Sequence, residues 1–155
     1  MPRTATPATT KAPRIFTIGY QGHSIESLLR TLNEHRVQVL MDVRQNPVSR
    51  KAGFSKSRLQ NAILQAGITY VHTPELGTPR EIRLLYQRSG NVSAALAEYD
   101  RYLSCRTEAI RSLASLAAVK AVCLFCLETD HRLCHRNIIA RKLCEMTRWQ
   151  PIHLI

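Results

Sequence analysis

From Arg14 onward, short runs of β-branched and aromatic residues alternate with longer stretches whose apolar side chains recur at helical spacing. That alternation predicts a parallel sheet flanked by helices. Arg14–Ile18 reads as the first strand and ends in the loop Gly19-Tyr-Gln-Gly22-His23, after which Ser24 can cap a helix carrying Ile25, Leu28, Leu29 and Leu32 on one face. Val37–Val43 is the second strand, finishing in Asp42-Val-Arg44. A helix then runs from Ser55 to Ala66 and stops at Gly67. Ile68–His72 is the third strand, and its exit, Thr73-Pro-Glu75-Leu-Gly77, is broken by Pro and Gly. Two or three helical stretches fill residues 80–118. Val119–Leu127 is nearly all apolar, as suits a central strand buried on both faces. Asp130 is expected to cap a helix that runs to Met146, and Pro151–Ile155 supplies a short last strand. The expected fold is a single α/β domain over 14–155, an open, mostly parallel sheet of about five strands with Rossmann-like or flavodoxin-like layering. No internal repeat and no second domain are visible.

Composition narrows the class. A chain of 155 residues suits one domain with a substantial core, and its apolar (45%) and charged (21%) fractions are those of a globular protein. The longest apolar run, Ala121–Leu127, is too short to span a bilayer, so no membrane is expected as a partner. Met1–Pro13 is rich in Thr, Pro and Ala and lacks an apolar core, which reads as a disordered tail and not a secretory signal. Five cysteines, an odd number in or beside apolar segments, suit reduced thiols and a cytoplasmic location. The net charge of +11 is spread along the chain and points to an anionic small molecule or nucleic acid as partner. An ordinary soluble protein of high pI accounts for it as well. No RNA-binding aromatic pattern, basic zipper or clear helix-turn-helix stands out.

In such a sheet the loops leaving the carboxyl ends of the strands form the ligand crevice. Those exits hold Tyr20 and His23; Asp42, Arg44 and Ser49; His72 and Glu75; then Cys126 and Glu128. Ordinary solvated loop residues give the same list, because loops are polar. The next helix brings in Cys134, His135 and Arg136. With its buried stripe through Ile139, Leu143 and Met146, His135 and Arg136 lean toward the sheet, where they and free backbone N–H groups suit an anion. The plain alternative pairs Arg136 with Asp42 or Glu128 and leaves His135 a core residue. The same wheel turns Cys134 away, although its neighbours and the helix start favour a lowered pKa; Cys126, at a strand end, is the better nucleophile candidate, and either thiol suits an inert core role too. Cys123-Leu-Phe-Cys126 resembles half of a zinc site, but residues three apart on a strand face opposite ways. No metal and no cofactor are expected, while a looser site of Cys126, Cys134 and His135 stays open.

These residues fall into an ordered set: Thr17-Ile-Gly-Tyr20 with His23-Ser24, Asp42-Val-Arg44 with Asn46-Pro-Val-Ser49, Gly67–His72 with Pro74-Glu-Leu-Gly77, and Cys126-Leu-Glu128 with Cys134-His-Arg136. Over residues 14–155 the set resembles the bacterial domain-of-unknown-function 488 family. The resemblance implies an α/β fold and no settled reaction. Here Tyr20 follows Gly19 where the family has Gly-His-Ser, and His23-Ser24 comes after a three-residue insertion. The expectation is an enzyme acting on a phosphorylated or nucleotide-like substrate, a hydrolase or transferase. Arg44 and Arg136 hold the anion, aided by Asp42, His72, Glu75 and Tyr20; Cys126 or Cys134 is the nucleophile, and His135 or Glu128 the acid or base. The competing expectation is a non-catalytic nucleic-acid-binding or accessory domain with a basic surface; a structural protein with a decayed site is a third.

Overall fold

The computed structural model describes residues 14–155, so the tail expected over 1–13 lies outside the described residues. Five strands form one parallel sheet: β1 (Ile15–Gly19), β2 (Val39–Asp42), β3 (Thr69–His72), β4 (Val122–Cys126) and β5 (Ile152–His153), in the order β3-β2-β4-β1-β5. The helices are α1 (Ile25–Glu34), α2 (Lys56–Gln65), α3 (Arg80–Ser89), α4 (Val92–Ser104), α5 (Thr107–Val119) and α6 (His135–Thr147). Single 3-10 turns at Pro74–Leu76 and His131–Leu133 follow β3 and β4. No described helix is long and apolar enough to cross a membrane.

The pleat divides the core in two. Phe16, Ile18, Leu40, Tyr70, Cys123 and Phe125 pack against Leu28 and Leu32 of α1 and Leu59 and Ile63 of α2. Ile15, Val39, Met41, Val122, Leu124 and Cys126 face the other way, onto Tyr99, Leu103, Ile110, Leu113, Ile139 and Leu143 of α4, α5 and α6. All of β4 is buried, and each large apolar side chain there contributes about 1.5–3 kcal/mol. Cys123 and Cys126 thus sit on opposite faces.

Ser24 caps α1 through a reciprocal box with Ser27, which replaces the usual Glu or Gln at that position. Two boundaries differ from the sequence pattern. Val119 ends α5 and is 75% exposed, so the apolar run from 119 to 127 joins a helix end to a strand of five residues. Asp130 caps only the 3-10 turn, accepting from the Arg132 N–H, and the long helix begins at His135.

The connection leaving β2 crosses the α1/α2 face toward β3, whereas the one leaving β4 crosses the α6 face toward β5. The chain therefore parts between adjacent strands β2 and β4, and a crevice opens at their carboxyl ends.

Candidate functional site

A cleft of about 740 Å³ occupies that crevice. Its floor is the exits of β1, β2 and β4, and its far wall is the α3/α4 pair, which supplies Ile82, Arg83, Tyr86, Val92, Leu96 and Tyr99. Close backbone approach holds it together. A Cβ on Gly19 would collide with the Glu128 carbonyl, and one on Gly77 with the backbone of Gln45. Only glycine lets these loops pass.

On the β2 side, Asp42 is fully buried and accepts both Arg44 Nε (2.8 Å) and Nη2 (2.7 Å). Tyr70 Oη donates to Asp42 Oδ2 at 2.6 Å, and Arg44 Nη1 donates to the Phe54 carbonyl at 2.8 Å. The guanidinium lies 5.3 Å from the Tyr20 ring centroid and 5.0 Å from that of Phe125, in a stack of Tyr20, Phe54 and Phe125. Burial and the hydrogen bond to Asp42 push the Tyr70 hydroxyl well above its usual range. Every polar group in this cluster has a partner.

On the β4 side, Cys126 is the last residue of the strand, with Glu128 two residues on. Cys134 is the N-cap of α6, and its backbone is extended (φ −124°, ψ 142°), which swings its side chain inward; it is 1% exposed. The helical wheel had turned it outward because it counted Cys134 as part of the helix. His135 Nδ1 lies 3.7 Å from the Sγ atoms of both Cys126 and Cys134, and Glu128 Oε2 lies 3.7 Å from Cys126 Sγ. His135 Nε2 donates to the Val43 carbonyl at 2.8 Å. A carbonyl only accepts, so Nε2 carries a hydrogen and Nδ1 is the atom turned on the two sulfurs.

The four groups act on one another's proton affinity. Burial opposes charge on Cys134, but the hydrogen bond from Cys126, the His135 imidazole and Arg136 outweigh it and hold this thiol well below its ordinary range. Cys126 is driven up by giving that hydrogen bond, and by burial. His135 is raised: burial lowers it, but the Cys134 charge and hydrogen bond raise it more. Burial, reinforced by Cys134, pushes the Glu128 carboxyl up to about 7.

Cys126, Glu128 and His135 line the cleft, with Cys134 beneath them. Tyr20 and Arg44 line it as well, although Arg44 is largely spent on Asp42 and Phe54. Asp42 is sealed behind Arg44. Arg136 is corrected as an anion holder: it is fully buried and donates to the carbonyls of Glu128 (2.5 Å) and Thr129 (3.2 Å), not to the carboxylates of Asp42 or Glu128. It forms no salt bridge among the described residues, and its Nε has no partner there. His72 lies off the cleft, its Nε2 2.7 Å from the Arg44 carbonyl, and Glu75 is exposed on the loop beyond β3. The sequence reading missed Arg83, half-buried in the far wall with a weak 3.4 Å contact to Gln45, and the neighbouring Gln21, Gln45 and Tyr86. One signal for them was available: Ile82 and Tyr86 are four apart on a helix, with Arg83 beside them.

The sheet and cleft define an open parallel α/β protein with a cysteine-histidine-glutamate cluster at the point where its connections diverge. Within that class the chain belongs to the family described as domain of unknown function DUF488, whose family model matches residues 24–143. No curated protein and no solved structure matches it.

Proposed function

We propose that the protein is an enzyme that acts on a phosphorylated or nucleotide-like anionic substrate in the β2/β4 cleft, with Cys126, Cys134, His135 and Glu128 as its reactive cluster. The observation that carries this is the convergence of two thiols, an imidazole and a carboxyl within a few ångströms, at the floor of a cavity large enough for a nucleotide. Core packing does not call for such a group, because apolar side chains of the same volume fill a core without the cost of burying polar atoms.

The cleft suggests how substrate is held. Arg83 is a cation facing the cavity without a carboxylate partner among the described residues. Tyr86 and Leu96 offer an apolar surface for a planar ring, and Gln21, Gln45 and Asn46 offer amides for its edge. Arg83 takes over the anion-holding role that the sequence reading gave to Arg44 and Arg136, and Arg44 stiffens the floor.

Isothermal titration with inorganic phosphate, nucleoside monophosphates and a short oligonucleotide tests the proposal. Mononucleotide affinity lost in Arg83→Ala and blocked by a bulky Leu96→Trp supports it. Affinity for the oligonucleotide alone, steep in salt and indifferent to both substitutions, overturns it in favour of a nucleic-acid-binding surface, which the charge of +11 also suits.

A further inference from the structure

We propose that Cys126, Cys134 and His135 hold a zinc-class divalent cation, with its fourth coordination position open to the cleft and Glu128 beside that position. The inference rests on the reading that this cluster is the reactive centre, and it assigns the reaction class as hydrolysis.

The geometry carries it. The three donor atoms lie within 4.8 Å of one another. With Zn–S near 2.3 Å and Zn–N near 2.0 Å, tetrahedral coordination puts sulfur and nitrogen about 3.6 Å apart. His135 Nδ1 is 3.7 Å from each sulfur. One proton between a nitrogen and two equidistant sulfurs can bond it to only one of them, whereas a cation at the centre serves all three. The bond from Nε2 to the Val43 carbonyl is the outer support that metal-bound histidines use, since it orients the ring and turns the Nδ1 lone pair on the site.

The chemistry agrees. Two thiolates and one imidazole form a soft to borderline donor set that selects zinc-class ions over magnesium or calcium. Two thiolate charges balance a divalent cation in a site where all three ligands are buried. The set has only three ligands on the protein. Cys134 lies below, Cys126 and His135 border the cleft, and the remaining corner faces the cavity, which is the arrangement of a catalytic and not a structural zinc.

The step balances without any oxidant or reductant. Water at the open position gives a proton to the Glu128 carboxylate, and the resulting hydroxide adds to the electrophilic carbon or phosphorus of the substrate. The bond to the leaving group then breaks, and Glu128 returns the proton to that group. One water is consumed for each bond cleaved.

Anaerobic titration of the full chain with cobalt(II), a spectroscopic stand-in for zinc, tests this. One equivalent per chain should give the visible bands of tetrahedral cobalt and thiolate-to-metal charge transfer in the near ultraviolet. Cys126→Ser, Cys134→Ser and His135→Gln should each weaken binding by at least about tenfold, the scale seen even for changes in outer-shell support. Absence of stoichiometric binding, or binding indifferent to these changes, overturns the proposal. Because those variants remove buried groups, a Cys105→Ser/Cys144→Ser double variant, altered only outside the buried core, provides a second test. It must keep the full spectrum, and losing it overturns the site. Glu128→Gln should keep the cobalt spectrum, since Glu128 is not a ligand here. A cleft that binds mononucleotides in a protein that binds no cobalt sinks the metal alone; cobalt bound in a protein with no affinity for anions sinks the enzyme reading alone.

Discussion

Two polar clusters sit side by side at the divergence of β2 and β4, and they are finished in opposite ways. At the β2 exit, Asp42, Arg44 and Tyr70 consume one another's hydrogen-bonding capacity, and the guanidinium is clamped against aromatic rings. At the β4 exit, the buried Cys126, Cys134 and His135 and the half-buried Glu128 meet one another through sulfur, with contacts of 3.7 Å. The first cluster is locked by short hydrogen bonds between charged and polar nitrogen and oxygen atoms, whereas the second is joined by the weaker hydrogen bonds that sulfur makes.

The largest effect should come from breaking the saturated cluster. Asp42→Ala strands the buried Arg44 charge and the Tyr70 hydroxyl and should cost about 3–5 kcal/mol in urea unfolding. The double variant Asp42→Leu/Arg44→Met should be markedly more stable than Asp42→Ala, because it leaves no buried charge behind. A double variant as unstable as the single one would mean that the pair does more than hold the floor.

Next in size, Arg136→Met should cost about 1–3 kcal/mol, since it leaves the Glu128 and Thr129 carbonyls without their donor. Thermal unfolding measures it, and a fall in cobalt affinity without change of stoichiometry would tie Arg136 to the β4 cluster. Arg83→Ala should weaken binding of a phosphate-bearing ligand by about tenfold, roughly 1.4 kcal/mol, with the unfolding midpoint nearly unmoved. A loss confined to stability would place Arg83 with the floor.

The smallest effect is a pH slope. His153 stacks on His131, at the turn before Cys134, with centroids 3.5 Å apart, and its Nδ1 lies 2.6 Å from Thr17 Oγ1. Burial, then the charges of His131 and Arg136, lower its pKa below 6.5. A histidine lowered on folding contributes stability that is fully present above 6.5 and fades as pH falls through the folded value. Urea midpoints should therefore decline below pH 6.5, and His153→Gln should flatten part of that decline. An unchanged slope would assign the acid sensitivity to other groups.

Much of this arrangement was legible in the residues. Period-two and period-3.6 patterns located all five strands, the strand exits named Cys126 and Glu128, and the phase of the following helix turned His135 toward them. The pleat also separated Cys123 from Cys126. Errors arose where one pattern was extended past a break. Cys134 was placed on the helix although it is the extended residue before it, and Arg136 was read as an open anion site because periodicity shows that a side chain turns inward, not what meets it there. Arg83 was missed because nothing in α3 itself tells where that helix docks.

What the chain determined by itself is therefore local: which segments are strands or helices, which face of each is apolar, and which polar residues stand at strand ends. Hydrogen-bonding geometry and side-chain periodicity act over a few residues, so a few residues reveal them. Only the tertiary structure decided that β4 inserts between β1 and β2, that His135 meets Val43 across 92 positions of chain, and that one arginine pairs with a carboxylate while another ends on backbone carbonyls. Lateral strand order and the partners of buried charges depend on how all the layers pack at once, and no single segment holds that information.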